Sequence, residues 1–341
     1  MTSRGPPWLW HPSFAALHPP PAEGSTLEGE EEQTFAAFVN SGTRLPNVRG
    51  TGRNKVVRPR TQFAVLPIGD VPASLACAVA ELLGAFFGNL LPPVDVLPGL
   101  KLVYGKTTTA TLHLGTSSSS ADTGTGTRKR KRKRTRERTV TLPTSFATGD
   151  TRNTAARRAP LDIWPLFDAL TQFVGPSHCA LLALVAAPLV ESFDDDAGGI
   201  EVADVLGRAC GDRVACVSTW GEGPSSSDDD DGIVREIIAT ALHEVLHCIG
   251  LDHCTTFRCL MNSQQPLDPS EEYLVLSPLN LRKLLLVLKE GGHVTAADVA
   301  SGTAALRRYA AMEPVLRKYG LHKDAGWVLD KVRAMETVLA S

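Results

Sequence analysis

The segment at 243–253, HEVLHCIGLDH, constrains the fold more than any other part of the sequence. His243 and His247 are four residues apart, so on a helix their imidazoles project from one face, about one turn apart. Gly250 follows, and glycine can take the left-handed conformation that ends a helix and turns the chain back. That turn can bring His253 to the first two histidines. The spacing therefore predicts a helix, a sharp turn and three imidazoles around one tetrahedral metal ion.

Three histidine ligands leave the fourth position of a tetrahedral ion open, which is typical of a catalytic rather than a structural zinc site. Zinc lowers the pKa of a bound water to about 7 and polarises a carbonyl group. Glu244 follows the first ligand, where it does not bind the metal but can take a proton from the metal-bound water. Histidines four residues apart also occur as buried hydrogen-bonded pairs, but that packing needs neither the third histidine nor the glycine. We therefore predict His243, His247 and His253 as zinc ligands and Glu244 as the general base.

The composition is typical of a soluble globular protein, because 43% of the 341 residues are hydrophobic, 21% are charged and the net charge is -2. A chain of this length can bury a large core. The most apolar stretch, 73–91, contains Glu81 and Asn89 and has a helical pattern, so it predicts a buried amphipathic helix rather than a membrane span. The start of the chain is broken by prolines where a secretory signal needs a continuous apolar region. We expect no membrane partner.

Seven cysteines are an odd number for a chain without a visible secretory signal. We therefore expect reduced thiols in an intracellular compartment, with metal binding favoured over disulfide formation. The thiols are those of Cys77, Cys179, Cys210, Cys216, Cys248, Cys254 and Cys259.

Composition also divides the chain into segments. Residues 1–60 are rich in proline and in charge, and we predict a variable, partly disordered segment there. Residues 61–291 are predicted to form the catalytic domain, interrupted by a disordered basic insertion at 115–140 and an acidic loop at 222–232. Residues 292–341 are predicted to form helices that pack on the same domain.

The basic run at 128–138, RKRKRKRTRER, cannot bury a core. It is typical of a nuclear localisation signal, of a nucleic-acid contact or of a solvated loop. A nucleic-acid partner is the least favoured of the three, because no aromatic residues lie within the run to stack on bases. We expect a cytoplasmic or a nuclear protein.

Hydrophobic periodicity predicts an α/β (α+β) fold. The run CALLALVAAPLV at 179–190 is almost continuously apolar, which predicts a central strand covered on both faces. Further strands are predicted at 63–69 and 211–219, and the helix that carries the histidines is apolar on nearly every side, which predicts that it is buried. Helices are also predicted at 73–91, 161–174, 279–290 and 296–339, the last with a break at Gly320.

The pattern HExxHxxGxxH resembles that of the metzincins, and its continuation HCTTFRCLM resembles the archaemetzincin (archaelysin) family of zinc metallopeptidases. The resemblance covers roughly 62–337, strongly at 239–261 and loosely elsewhere. It implies a metzincin-like twisted mixed sheet, an active-site helix and a C-terminal helical subdomain. It also implies that Met261 forms the methionine turn beneath the zinc, although a plain core methionine would pack in nearly the same way.

The resemblance also implies a second zinc held by four cysteines, and here the sequence departs from it. Cys254 and Cys259 match two of the four ligands. Ser277 and Asn280 occupy the places of the other two, in the stretch LSPLNLRKL. Serine and asparagine are poor zinc ligands beside thiolates. We therefore predict one zinc per chain, with the second site absent or weak.

Two main functions and a third, weaker one are compatible with the sequence. The first is a zinc metallopeptidase that hydrolyses a peptide or protein substrate through zinc-activated water, with Glu244 as the base. The second is a zinc-stabilised binding or scaffold protein that keeps the metzincin fold without cleaving, which the missing cysteines and the basic insertion favour. The third is an amidase acting on a small substrate. The intact Glu244 favours catalysis, because a non-catalytic site has no need of a base there.

Overall fold

The computed structural model describes residues 6–11, 29–41, 60–104, 109–114, 139–143, 159–194, 200–211, 213–220, 230–263 and 274–340. The helices in these ranges are α1 (Phe35–Ser41), α2 (Ala73–Phe86), α3 (Ile163–Leu170), α4 (Asp230–Cys248), α5 (Pro278–Glu290), α6 (Ala296–Ala300), α7 (Thr303–Lys318) and α8 (His322–Ala340). The strands are β1 (Gln62–Ile68), β2 (Asp95–Val96), β3 (Leu100–Tyr104), β4 (Thr109–Leu114), β5 (Thr139–Pro143), β6 (Leu161–Asp162), β7 (His178–Val185), β8 (Leu189–Asp194), β9 (Ile200–Val205), β10 (Gly207–Cys210) and β11 (Val214–Ser218).

The strands form two sheets. The larger one is mixed and has the order β10-β11-β7-β1-β3-β4-β5, with β2 paired beside β1. Strands β11, β7 and β1 run parallel, whereas β10 and the β3-β4-β5 ribbon add antiparallel pairs at the two sides. The smaller sheet has the order β6-β8-β9. The predicted α/β class with a mixed sheet and C-terminal helices is confirmed.

The central strands β1 and β7 separate two hydrophobic cores. Successive side chains of a strand point to opposite faces, so Phe63 and Val65 join one core and Ala64 and Leu66 join the other. Helices α2, α4, α5, α7 and α8 cover the first face, and α3 covers part of the second. Every residue of β7 is buried, which confirms the prediction of a central strand covered on both sides. Helix α4, which carries the histidines, therefore packs on a rigid layer.

Three predicted elements end at different places than expected. The single strand predicted at 179–190 is two strands, because β7 stops at Val185 and β8 belongs to the smaller sheet. The helix predicted at 73–91 ends at Phe86, since Gly88 and Asn89 have positive φ angles of 71° and 51°. The helix predicted at 161–174 likewise ends early, at Leu170.

The C-terminal stretch predicted as helical at 296–339 is divided into α6, α7 and α8. The expected break at Gly320 is present, and a second one occurs at Gly302. Both glycines have left-handed backbone angles, with φ values of 76° and 79°. Among the described helices, none is both long and apolar enough to cross a membrane.

Parts of the N-terminal segment contribute to the core. Trp8, Leu9 and Phe38 are buried, and the Trp8 indole donates a hydrogen bond of 3.0 Å to the carbonyl of Val299. The basic run at 128–138 and residues 222–229 of the acidic loop lie outside the described residues. The edges of those two predicted segments are ordered, because β5 starts at Thr139 and α4 starts at Asp230.

A buried ion pair joins α4 to the C-terminal helices. Arg235 donates two hydrogen bonds to the carboxylate of Asp324 at the start of α8, with Nε–Oδ2 at 3.0 Å and Nη2–Oδ1 at 3.1 Å. The side chain of Asp324 is 1% exposed and that of Arg235 is 13% exposed. Two parallel hydrogen bonds fix the relative orientation of the two side chains and also stabilise the contact. They therefore hold α4, which carries the histidines, against α8.

We expect Asp324→Asn to lower the free energy of unfolding by about 3 kcal/mol, because one member of a buried ion pair then loses its carboxylate partner. Denaturant unfolding measures the change. Asp330→Asn is the matched control: Asp330 lies on the same helix, and its ion pair with Arg333 is exposed, so its loss should cost at most about 1 kcal/mol. Equal effects of the two substitutions would contradict a stabilising role for the buried pair.

Candidate metal centre

Helix α4 positions two of the three histidines, and its C-terminal end positions the third. Gly250 has a φ of 88°, and its N–H donates to the carbonyl of His247 at 2.9 Å. The N–H of Leu251 donates to the carbonyl of Leu246 at 3.1 Å. These two bonds form a Schellman motif, which needs a left-handed residue at this position. The predicted turn at Gly250 is therefore present, and it directs the following chain back towards the helix.

The three imidazoles meet at their Nε2 atoms. His247 Nε2 lies 2.9 Å from His243 Nε2 and 3.2 Å from His253 Nε2. In a tetrahedral zinc site, ligand nitrogens are separated by roughly 3.3 Å, given Zn–N bonds of about 2.0–2.1 Å. Within the described part of the chain, these histidines are the only group of His, Cys, Asp or Glu that could hold a metal ion.

The Nδ1 partners fix which nitrogen of each ring carries the proton. His243 Nδ1 lies 2.7 Å from the carbonyl oxygen of Leu260, and His247 Nδ1 lies 2.7 Å from that of Leu251. His253 Nδ1 lies 2.5 Å from the carboxylate of Glu30. A carbonyl or a carboxylate oxygen only accepts, so each Nδ1 must donate its proton. Every Nε2 then presents a lone pair to the same point, which is the donor set that a zinc ion requires.

Electrostatics keep the first two rings neutral. Burial, with a further contribution from His247, lowers the pKa of His243 to about 3. Burial and the neighbouring His253 lower the pKa of His247 to about 4. A neutral imidazole is the form that binds metal, so these residues do not need to lose a proton to become ligands near neutral pH.

Glu244 is on α4 beside the ligands and lies beneath strand β10. Its side chain is 7% exposed, and the backbone N–H of Ala209 on that strand donates to the carboxylate. Burial raises the pKa of Glu244 to about 8, although the charge of Arg208 and the Ala209 bond oppose this shift. Gly207 makes the close approach possible, because a Cβ on that residue would lie 3.1 Å from Glu244 Cγ and 2.6 Å from Thr240 Cγ2.

The chain after His253 folds back beneath the metal ligands. Met261 is fully buried, its carbonyl accepts a 2.6 Å hydrogen bond from the N–H of Cys254, and the adjacent Leu260 carbonyl holds His243. Asn262 closes this loop, since its amide donates to the carbonyls of Cys254 and Phe257 at 2.5 and 3.0 Å. The loop is therefore fixed by hydrogen bonds to its own backbone carbonyls, and the side chain of Met261 is part of the hydrophobic core.

The structure brings together the four residues that match the second zinc site of the archaemetzincins. The N–H of Ser277 donates to Cys259 Sγ at 3.1 Å, and the side-chain amide of Asn280 lies 3.7 Å from the same sulfur. Ser277 Oγ accepts from the N–H of Asn280 and so caps α5. The hydrogen bond with Cys259 raises the pKa of Cys254, and burial raises it further. Both cysteines are free thiols.

The thiol pair offers a poorer donor set than the histidines. Two thiols alone do not complete a tetrahedral site, and Ser277 and Asn280, which contact Cys259, are poor zinc ligands beside thiolates. Lys283 and Arg308 are fully buried as well, and burial lowers the pKa of both side chains. Among the described residues, the donor set therefore fits a metal ion better at the histidines than at the cysteines.

A cavity of about 190 Å³ opens beside the N-terminal half of α4, one helical turn from Glu244. Leu206, at the junction of β9 and β10, and Trp220, after β11, line its walls together with Thr240. The remaining lining is apolar except for Ser218, Thr219 and Glu236. The cavity thus lies along the N-terminal half of α4, on the side where β10 begins.

No protein family and no curated protein matches the sequence. One solved structure is similar, the crystal structure of archaemetzincin from Methanopyrus kandleri, with 18% sequence identity. The similarity covers 69% of this chain and 97% of that one, with a TM-score of 0.38. At that score the likeness supports no conclusion about the site, whose chemistry follows from the geometry of its own residues.

The three histidines, which the sequence singled out, meet at one point, and Glu244 lies on the same helix against β10. Glu30, which sequence reasoning missed, contacts His253. Glu30 belongs to the acidic stretch EGEEEQ at 28–33, and nothing in that stretch indicates a contact more than 200 residues away. Only the three-dimensional packing of the N-terminal segment identifies it.

We expect the purified protein to contain about one zinc ion per chain after dialysis, because the histidines are the one group with a complete donor set in the part of the chain that the structure describes. Mass spectrometry of the metal measures the ratio. The double variant Cys254→Ser/Cys259→Ser should give the same ratio. A ratio near two that falls to one in this variant would show that the thiols hold a second ion.

We expect Gly207→Ala to lower the free energy of unfolding by about 1–3 kcal/mol, because the new methyl group would overlap Thr240 and press on Glu244. Thermal or denaturant unfolding provides the measurement. Gly326→Ala is the control, since a Cβ at Gly326 in α8 has no atom within 4 Å, and alanine should be neutral or stabilising there. If the Gly207→Ala protein were as stable as the wild type, β10 would not pack closely on α4.

Proposed function

We propose that this protein is a single-zinc metallopeptidase of metzincin type, similar to the archaemetzincins. One observation carries the proposal: three Nε2 lone pairs converge at one point on a helix that also carries the buried Glu244, which packs against the outermost strand of the described sheet. His243, His247 and His253 would hold the ion. When bound, zinc supplies an acidified water and polarises the carbonyl of the substrate.

Glu244 would act as the proton carrier. Its carboxylate oxygen accepts the proton that hydrolysis releases and returns it to the leaving amine. A general base is most effective when its pKa lies near the working pH, and burial under β10 moves Glu244 in that direction. The hydrogen bond from Ala209 holds the carboxylate in one orientation while the rest of the side chain is packed against Gly207.

Strand β10 would bind the substrate backbone. It pairs with β11 on one side, and it is the last strand of the described sheet on that side. An extended peptide can therefore pair with it as an additional strand, which aligns the main chain by hydrogen bonds and leaves the side chains to set specificity. A peptide in this position would cross above Glu244 and the three histidines.

The cavity beside Glu244 would receive one substrate side chain. Its walls are mostly apolar, and Glu236 supplies a carboxylate. A long side chain with an apolar stem and a cationic end matches such a cavity, because lysine and arginine bury their methylene groups while the charge reaches an acidic partner. We therefore propose a preference for a basic residue next to the cleaved bond.

We expect Glu244→Gln to retain zinc and to lose about 10²–10⁴-fold in kcat/KM, because glutamine keeps the shape but cannot carry the proton. Quenched fluorescent peptides measure the rate, and metal analysis measures the zinc. Glu313→Gln is the control, because Glu313 is on α7 and forms a surface ion pair with Arg317.

Each other outcome has a definite meaning. Peptide hydrolysis by Glu244→Gln at the wild-type rate would overturn the role of Glu244. A wild-type protein that contains zinc and cleaves no peptide would be a zinc-stabilised binding or scaffold protein. Hydrolysis of small amides without hydrolysis of peptides would make it an amidase.

A further inference from the structure

The N-terminal segment 30–33 contacts the loop that carries the third histidine. Glu30 Oε1 lies 2.5 Å from His253 Nδ1. Gln33 holds the same loop at two backbone groups, since its amide donates to the carbonyl of Gly250 at 3.2 Å and its oxygen accepts from the N–H of Asp252 at 3.3 Å. Residues far away in the sequence therefore hold the loop at His253 and at the residues just before it.

Glu32 extends this contact to the thiol pair. Its carboxylate accepts hydrogen bonds from Cys254 Sγ at 3.3 Å and from the hydroxyl of Thr256. Helix α1 follows directly and anchors the segment, because Phe38 is fully buried and Phe35 lies beneath the guanidinium of Arg282 on α5, 3.6 Å from its ring centroid. The acidic segment therefore has a fixed position between the metal loop and α5.

The Nδ1 partner of His253 differs in kind from those of the other two ligands. His243 and His247 donate to backbone carbonyls, which are neutral, whereas His253 donates to a carboxylate. His253 is also the one ligand that lies on a loop, and its side chain is 25% exposed. A carboxylate on the outer nitrogen of a metal-binding histidine fixes the ring and increases the electron density at the inner nitrogen.

We propose that Glu30 is a positioning residue of the metal centre, and that the N-terminal segment 30–33 completes the site by holding His253 in its metal-binding orientation. The inference rests on the proposed zinc site, but not on peptide hydrolysis. Without Glu30, the loop ligand would have to be ordered at the moment of metal binding, and the entropy lost then would reduce the affinity. The carboxylate of Glu30 also lies beside the imidazole of His253, and a negative charge there favours a bound cation.

Zinc affinity is the direct test, measured by competition with a chromophoric chelator at one pH. Glu30→Gln keeps the shape and a hydrogen-bond acceptor but loses the charge, and we expect zinc binding about 10–100-fold weaker than in the wild type. Glu30→Ala also removes the acceptor and should weaken binding at least as much. The visible spectrum of the Co²⁺-loaded protein should change in both variants, because it reports the ligand field at the metal.

Two variants separate positioning from charge and from packing. Glu31→Gln removes the same charge from an exposed neighbour and should bind zinc as the wild type does, within about threefold. Glu32→Gln removes it from a side chain that contacts Cys254 and Thr256 instead of a ligand, and it should weaken zinc binding less than Glu30→Gln does. The metal-free Glu30→Gln protein should unfold at the temperature of metal-free Glu32→Gln, since a purely structural role would lower stability without a specific effect on the metal.

The outcomes distinguish this inference from the proposed function. Equal zinc affinity of Glu30→Gln and the wild type would overturn the role of Glu30 and leave the peptidase proposal standing. Weaker binding by Glu30→Gln in a protein that cleaves no peptide would support the role of Glu30 and overturn the peptidase. A wild-type protein that binds no zinc would overturn both.

Discussion

The convergence of three imidazole nitrogens is the constraint on which the rest of the site depends. Three lone pairs directed at one point repel each other unless a cation lies between them, so the protein must hold the rings in place by other contacts. Two rings are held by carbonyls of Leu251 and Leu260, and helix α4 is held by the sheet beneath it and by the Arg235–Asp324 pair. A rigid, buried helix is what makes this unfavourable arrangement possible.

The sequence predicts the features that depend on local spacing and fails where distant parts of the chain meet. The four-residue spacing of the histidines and the left-handed turn at Gly250 are local, and both agree with the structure. Hydrophobic periodicity predicts a helix up to residue 91, but the helix ends at Phe86, where the following Gly88 and Asn89 act as stop signals. An apolar run cannot reveal that β7 and β8 belong to different sheets, because both strands are buried where they meet the core. The contact of Glu30 is the extreme case, since it depends on where a whole segment packs.

Ser277 and Asn280 join the cysteine loop to α5 in a different way from a metal cross-link. With cysteines at these two positions, a metal ion could cross-link the loop of Cys254 to the start of α5. The N–H of Ser277 and the amide of Asn280 instead contact Cys259 Sγ. The Ser277 hydroxyl also caps α5, a contact that stabilises a helix by about 1 kcal/mol.

The loop that carries His253 continues to the thiol pair, so the N-terminal segment contacts both the metal centre and Cys254. Glu30 and Glu32 are two residues apart and contact His253 and Cys254, which are adjacent in the chain. The acidic segment is anchored through Phe38, lies between this loop and α5, and holds the loop by these contacts. The order of the third ligand therefore depends on a segment that forms no part of the zinc-binding motif, and loss of that segment would leave the motif intact but its geometry unsupported.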